Sequence, residues 1–179
     1  MTPGATIVEH LCLNCGLCCN GVIFRDVELQ PGDDAARLKL LGLPVRAARP
    51  PGGPGKFTQP CAAFDGCRCG VYADRPQHCR AFECALFQAV REGRVKTTSA
   101  LRLIRRTRQR ADRVLHLLRA LGDTEEDAAL SVRFRRLSKR FQSGPPSAAA
   151  AGTFAELTLA THDLNLILSE SFYPGGPDE

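Results

Sequence analysis

Four cysteines fall within eight residues, in the run Cys12-x-x-Cys15-x-x-Cys18-Cys19. Such spacing is rare outside metal and redox sites. Thiolates at steps of three can meet on one side of a tight turn. That suits three corners of a cubane iron–sulfur cluster, and it also provides a C-x2-C half-site for tetrahedral zinc. Cys18 and Cys19 are adjacent, and neighbouring side chains usually point apart. They fit two sites, or two metals within one cluster, better than one small ion. A four-ligand site built on the first three cysteines needs one distant thiolate, and the chain offers five: Cys61, Cys67, Cys69, Cys79 and Cys84. Nine thiols exceed one site and leave an odd residue after two. Cys79 and Cys84 lie five residues apart and share a helical face poorly. A helix carrying both must end or distort between them, or the two serve different sites.

Simpler fates account less well for the cluster. Isolated cysteines are often small buried hydrophobes, but four within eight residues are not isolated. A thioredoxin-type redox C-x-x-C belongs in a βαβ setting, and no such pattern surrounds this one. Beside a metal the thiols would be deprotonated and the local charge strongly negative; Arg75 and Arg80 are placed to offset it. His10 stands two residues before Cys12, and His78 directly before Cys79. Imidazole binds zinc and some iron sites, but the thiols already oversupply ligands, which leaves both histidines surface or supporting roles. His116 and His162 fall in predicted helices and are read as ordinary helix residues.

All nine cysteines lie between Cys12 and Cys84, and residues 85–179 contain none. A chain stapled by disulfides spreads them where staples are needed. Here 44% hydrophobic content leaves the second half able to fold around a core, and 24% charged residues do not mark a disordered chain. No run of 18 apolar residues exists, so no transmembrane helix is expected. The N-terminus has neither a basic nor a long apolar segment, which predicts no secretory signal. Clustered thiols without an export signal point to the reducing cytoplasm, where such clusters are more often metal ligands than disulfides. There is no P-loop, G-x-G-x-x-G, H-E-x-x-H or G-x-S-x-G motif, and no S-adenosylmethionine site is legible. Gly52-Gly53-Pro54-Gly55 is broken by proline and follows no strand, so it is no phosphate cradle.

The elements that must position these residues are mostly helical. Residues 1–11 read as a lead-in, and 12–20 as a tight loop or first helical turn in which Gly16 lets the backbone curl. Residues 21–29 read as a short strand or extended segment. Pro31-Gly-Asp-Asp opens a short helix over about 33–41, closed by Gly42. The prolines and glycines of 44–60 predict a loop, and 61–72 a compact cysteine-bearing stretch. Asp74 as N-cap, with Pro76 in the first turn, predicts a helix to about Arg91, ended by Gly93. Ser99 or Thr98 caps a helix over about 100–121. Thr124 opens a capping-box-like run into a helix to about Phe141, with Leu130, Phe134, Leu137 and Phe141 on one face. Residues 143–152 read as a linker. Thr153 and Glu156 form a second capping box for a last helix to about Ser171, and the remainder is a tail. No repeats are present.

The net charge of +5 is unevenly placed. Residues 91–140 carry 15 Arg or Lys against 6 Asp or Glu, so the rest of the chain is net acidic. A basic half invites a nucleic-acid or acidic partner, while the plainer reading is a solvated helix face. No aromatic residue interleaves with the arginines between Arg102 and Arg119, so no base-stacking platform is present there.

From Cys12 to Cys84 the chain resembles the YkgJ-like cysteine-cluster family, whose shared region is the zinc- or iron-chelating CxxCxxCC domain. The match rests on Cys12, Cys15, Gly16, Cys18 and Cys19. It continues in Pro60-Cys61, Cys69-Gly-Val-Tyr72, Arg75-Pro76, Cys79-Arg80 and Phe82-Glu-Cys84. The resemblance implies eight metal ligands: Cys12, Cys15, Cys18, Cys19, Cys61, Cys69, Cys79 and Cys84. Cys67 departs from the pattern and leaves open how roles divide within Cys67-Arg-Cys69. Tyr72 and Phe82 would pack beside the site and exclude water. Arg75 would pair with a carboxylate or donate hydrogen bonds toward sulfur, as groups that tune a cluster do. One relative, the flagellin lysine N-methylase, resembles this chain through the cysteine domain alone, so its activity does not carry over.

These readings combine into a mainly α protein with little β. A small irregular cysteine-cluster domain over 1–93 would bind metal, and a basic helical extension over 94–179 would pack on it or present a partner surface. The first functional reading is an iron–sulfur protein, with a [4Fe-4S] cluster, in electron transfer or as accessory to a protein partner. The second is a module stabilised by one or two zinc ions, whose basic helices meet an acidic partner or RNA. The third is a protein-modifying enzyme related to the methylase, which needs a pocket the sequence does not show. Three cysteines at x2 spacing favour iron, although thiolates alone do not separate the two metals.

Overall fold

A computed structural model describes residues 7–47, 53–66, 68–144 and 147–173. Cys67, the start of the lead-in, the middle of the 44–60 loop, two prolines of the 143–152 linker and residues 174–179 of the tail lie outside these described residues. The side chain of His10 does too. In chain order the elements are α1 (Ile7–Cys15), β1 (Asp26–Glu28), α2 (Ala35–Leu40), β2 (Lys56–Thr58), α3 (Gln77–Ala81), α4 (Ala85–Arg91), α5 (Thr97–Ala120), α6 (Leu130–Gln142) and α7 (Ala148–Ser171), with a 3-10 turn at Tyr72–Asp74. The protein is therefore mainly α with little β, as expected. Among the described residues no helix is long and apolar enough to cross a membrane.

The chain divides into two compact units, each made of separated segments. The first takes Met1–Cys15, Glu83–Thr124 and Arg133–Glu179; the second takes Gly16–Phe82 and Glu125–Val132.

The first unit is built on α5 and α7. Along α5, Ile104, Thr107, Ala111, Val114 and Leu118 recur at steps of three and four and are buried, the pattern of one inward helical face. They meet α7, which buries Leu157, Leu164 and Leu168. Full burial of each such leucine is worth roughly 1.5–3 kcal/mol. α1 packs on α5 and α4, and Arg108 Nη1 donates to Asn14 O at 3.3 Å near the end of α1. Arg133 of α6 forms a buried ion pair with Asp123 at 2.6 Å. Phe134 and Phe141 stack on Phe154, with centroids 6.4 and 4.5 Å away.

The helix boundaries here depart from expectation at three N-termini. α5 begins at Thr97 after Lys96, ahead of Ser99. α6 begins only at Leu130, and Thr124–Ala129 form turns rather than a capping box. The four expected inward positions of α6 hold, with Leu130 and Leu137 buried and the two phenylalanines stacked. α7 runs from Ala148 through Gly152 and consumes half of the expected linker. Its cap is Ser147, whose hydroxyl accepts from Ala150 N at 3.3 Å. Thr153 is mid-helix and donates to Ala149 O at 3.2 Å. Four consecutive alanines carry the strongest helix propensity and outweigh one glycine.

The second unit holds the small sheet. β1 and β2 pair antiparallel, with Val27 opposite Phe57. Those two join Leu29, Leu38, Leu43, Val45 and Val71 in a small core. β2 falls inside the stretch predicted as loop. Only three residues long, it has a weak period-2 signal, and its pairing with β1 creates it. α2 is capped by Asp34, whose Oδ1 accepts from Arg37 N at 2.8 Å, and Gly42 follows it at φ +88°. The segment 125–132 returns to this unit, where Leu130 N donates to Gly21 O at 3.0 Å.

The helix predicted over 74–91 is two helices. α3 stops at Ala81, Phe82 and Cys84 are extended, and α4 starts at Ala85. Asp74 lies in the 3-10 turn and meets Arg37 Nε at 3.4 Å, so it is not the cap. Asp33 does that work from 44 residues away: its Oδ1 accepts from Gln77 N at 2.8 Å, and its Oδ2 from Gln30 N at 2.8 Å.

Candidate metal centre

In the first unit, Cys12 and Cys15 are three residues apart on α1, so they share a face. Cys12 is exposed and Cys15 half-buried. The tight turn expected around the first three cysteines begins only after Cys15, at Gly16. Cys84 is the N-cap of α4, and its Sγ accepts from Phe87 N at 3.4 Å. Burial raises the Cys84 thiol pKa, opposed by backbone N–H groups aimed at the sulfur.

In the second unit, Gly16 takes φ +67°, a left-handed turn that glycine adopts at no steric cost. A Cβ there would collide with the ring of Phe64. Gly16 O accepts from both Cys19 N and Asn20 N at 2.9 Å, which fixes the turn carrying Cys18 and Cys19. Cys61 N donates to Cys19 O at 2.8 Å and ties the second cysteine block to the first. Phe64 and Cys69 form an isolated antiparallel bridge, and Gly70 N donates to Ala63 O at 2.7 Å. These bonds hold Cys61 and Cys69 on one compact loop.

Cys61, Cys69 and Cys79 all pack against the core around Val27 and Phe57. Their electrostatics show that they are neighbours. The Cys79 thiol is pushed up to about 12, first by burial, then by the charges of Cys61 and Cys69; Arg75 pulls it down and Asp33 adds a smaller upward push. Burial also raises Cys61, with Cys69 contributing in the same direction and two backbone N–H groups opposing. None of the eight described cysteines is in a disulfide. Yet among the described residues no three Cys, His, Asp or Glu side chains form a ready metal cage. Thiols close enough for their charges to act on Cys61 and Cys79 are not the same as three aimed at one point. The electrostatics establish proximity only.

The donor set fits a thiophilic cation. Without one, buried neighbouring thiols stay protonated. A cation inverts that preference and makes thiolates the favoured form.

The surrounding groups differ in part from expectation. Tyr72 is exposed and does not seal the site. Its ring lies under Arg75, whose guanidinium is 3.7 Å from the centroid. Arg75 Nε donates to Tyr72 O at 3.1 Å rather than to a carboxylate. Its charge still acts on Cys79, as the sequence suggested for an arginine offsetting sulfur. Arg80 Nε donates to Arg75 O at 2.6 Å. Phe82 packs edge-on to Phe24 at 4.7 Å, and His78 packs edge-on to Phe24 at 5.1 Å. His78 Nε2 is buried with no hydrogen-bond partner among the described residues. His116 and His162 lie on the outer sides of α5 and α7, away from the cysteines in sequence and in element.

Phe24, Phe64 and Asp33 were not legible as site residues. Phe24 sat in an extended segment without partners in view. Phe64 becomes relevant only once Gly16 needs a neighbour. Asp33 acts across 44 residues, which no local pattern reports.

Residues 11–103, just over half of the chain, match the model of the family described as "CxxCxxCC: Putative zinc- or iron-chelating domain". The chain belongs to that family, and its cysteine-bearing part is a zinc- or iron-chelating domain. Comparison with curated proteins and with solved structures gave no match.

Proposed function

We propose that this member of the CxxCxxCC family binds iron as an iron–sulfur centre, a [4Fe-4S] cluster, and serves electron transfer or acts as accessory to a protein partner. The observation that carries the reading is the gathering of Cys61, Cys69 and Cys79, all outside disulfides, against one small core. In this proposal the ligands are Cys12, Cys15, Cys18, Cys19, Cys61, Cys69, Cys79 and Cys84, and zinc is the competing occupant. A cluster held by such thiolates supplies one-electron chemistry at a potential set by charge, hydrogen bonding and exposure. The chain's own groups have defined tasks. Arg75 offsets thiolate charge at Cys79. Phe24, Phe82 and the His78 ring keep water from that flank of α3. Backbone N–H groups around Cys61 and Cys84 donate toward sulfur. Free thiols in this number also favour a reducing compartment, the cytoplasm.

The test is replacement of each proposed ligand by serine in full-length protein prepared without air. Each variant should lose metal and, on reduction, the electron paramagnetic signal of the parent. A variant at Cys18 or Cys19 that keeps the full metal complement removes that residue from the set. Retention across the whole series would refute the centre.

A further inference from the structure

The helix α5 has two opposite sides. Its inward side, Ile104, Ala111, Val114 and Leu118 among others, is buried. At 3.6 residues per turn, Arg102, Arg106 and Arg113 fall within about 40° of one another on the far side, with Arg105 about 60° to one flank. All four are exposed. Among the described residues none of the four has an ion-pair partner. Over Thr97–Ala120 seven arginines stand against one carboxylate, Asp112. A carboxylate three or four residues away would pair such an arginine on the helix; on this face none is supplied. We propose that this face of α5 docks on the phosphate backbone of a nucleic-acid duplex.

The chemistry selects that partner over others. A guanidinium fork binds phosphate with two parallel hydrogen bonds. Arg102 to Arg113 spans about 16 Å at about 1.5 Å per residue, close to five base pairs at about 3.4 Å each. The face carries no Phe, Tyr or Trp, and His116 is its one ring; a single imidazole gives no run of stacking positions for unpaired bases, so contact is with the backbone and not with sequence. A membrane surface is disfavoured because the apolar side of α5 is already buried in its own unit. This inference is independent of which metal the cysteines hold.

The experiment measures anisotropy of labelled DNA and RNA duplexes, each of about 20 base pairs to exceed the arginine span, with the full-length, metal-loaded protein between about 50 and 200 mM salt. Four phosphate contacts predict a slope of about −3.6 in log affinity against log salt, a loss of roughly 150-fold over that range. Combined Arg102→Gln, Arg105→Gln, Arg106→Gln and Arg113→Gln, all on the exposed side, should abolish the slope and weaken binding at least tenfold at the lowest salt. Lys39→Gln with Arg46→Gln, exposed charges of the second unit, should leave the affinity within twofold. Tighter binding to one duplex type identifies the natural source. No binding to either duplex at the lowest salt, equal loss in the two variants, or binding to polyglutamate in place of the duplexes would overturn the proposal.

Discussion

Replacing Gly16 by alanine tests the turn on which Cys18 and Cys19 lie. At φ +67° the backbone of Gly16 is left-handed, and a side chain there costs about 1–2 kcal/mol. The new methyl would also overlap the far end of the Phe64 ring. Turning that ring off its preferred rotamer costs a further ~0.5–1.5 kcal/mol. Reduced freedom of the unfolded chain returns about 0.4–1 kcal/mol. The net is about 0.5–3 kcal/mol, which for a chain of this size lowers Tm by about 1–12 °C. Gly42 supplies the control. It has φ +88°, and a Cβ added there would meet nothing within 4 Å, so Gly42→Ala carries the same backbone cost and the same unfolded-chain return without the clash, a net of about 0–1.6 kcal/mol. Thermal melts followed by circular dichroism, with metal content measured beside them, should show the larger Tm loss for Gly16→Ala. Metal retention should fall with it. In a Phe64→Ala background the excess over Gly42→Ala should vanish, because the two residues then no longer interact. Equal losses for the two glycines, or an excess that survives Phe64→Ala, would refute the reasoning.

Asp33→Ala removes the acceptor for Gln77 N and Gln30 N, and should cost about 1 kcal/mol in denaturant unfolding. Asp123→Ala strips the carboxylate from buried Arg133 and should cost about 3–5 kcal/mol; Glu92→Ala, from an exposed pair, should change unfolding by less than about 1 kcal/mol. Phe57→Ala, 1% exposed in the core behind Cys61, Cys69 and Cys79, should cost about 3–5 kcal/mol and release metal. In metal-free protein the raised Cys79 pKa, about 12 against an ordinary value of 9.0, contributes stability that is fully present below about pH 9. That contribution is lost as pH rises toward about 12. Residue-resolved alkylation at about pH 8 should therefore find Cys79 slow, and metal affinity should rise with pH as its proton becomes easier to displace.

The parts of this fold legible in the sequence were those with long periodic signals. The inward face of α6 followed from Leu130, Phe134, Leu137 and Phe141 alone. The end of α2 followed from Gly42. Starts of helices were harder, since capping patterns compete with propensity: Thr153 with Glu156 looked like a cap, yet Ser147 ahead of an alanine run won. The strand β2 is defined by its partner, and the true cap of α3 sits 44 residues upstream. At the candidate site, motif spacing singled out the first four cysteines and the awkward pair Cys79 and Cys84, which lie on either side of a helix break. Spacing could not show that Cys61, Cys69 and Cys79 share one core, or that Arg75 stacks on Tyr72 while still acting on a thiol.

The most direct test of the central claim is quantitative iron, zinc and acid-labile sulfide on full-length protein purified without air, with its visible spectrum. The account predicts iron and sulfide in comparable amounts, with the broad visible absorption of thiolate-bound iron clusters. Colourless protein holding zinc without sulfide would contradict it and make the cysteines a structural zinc site.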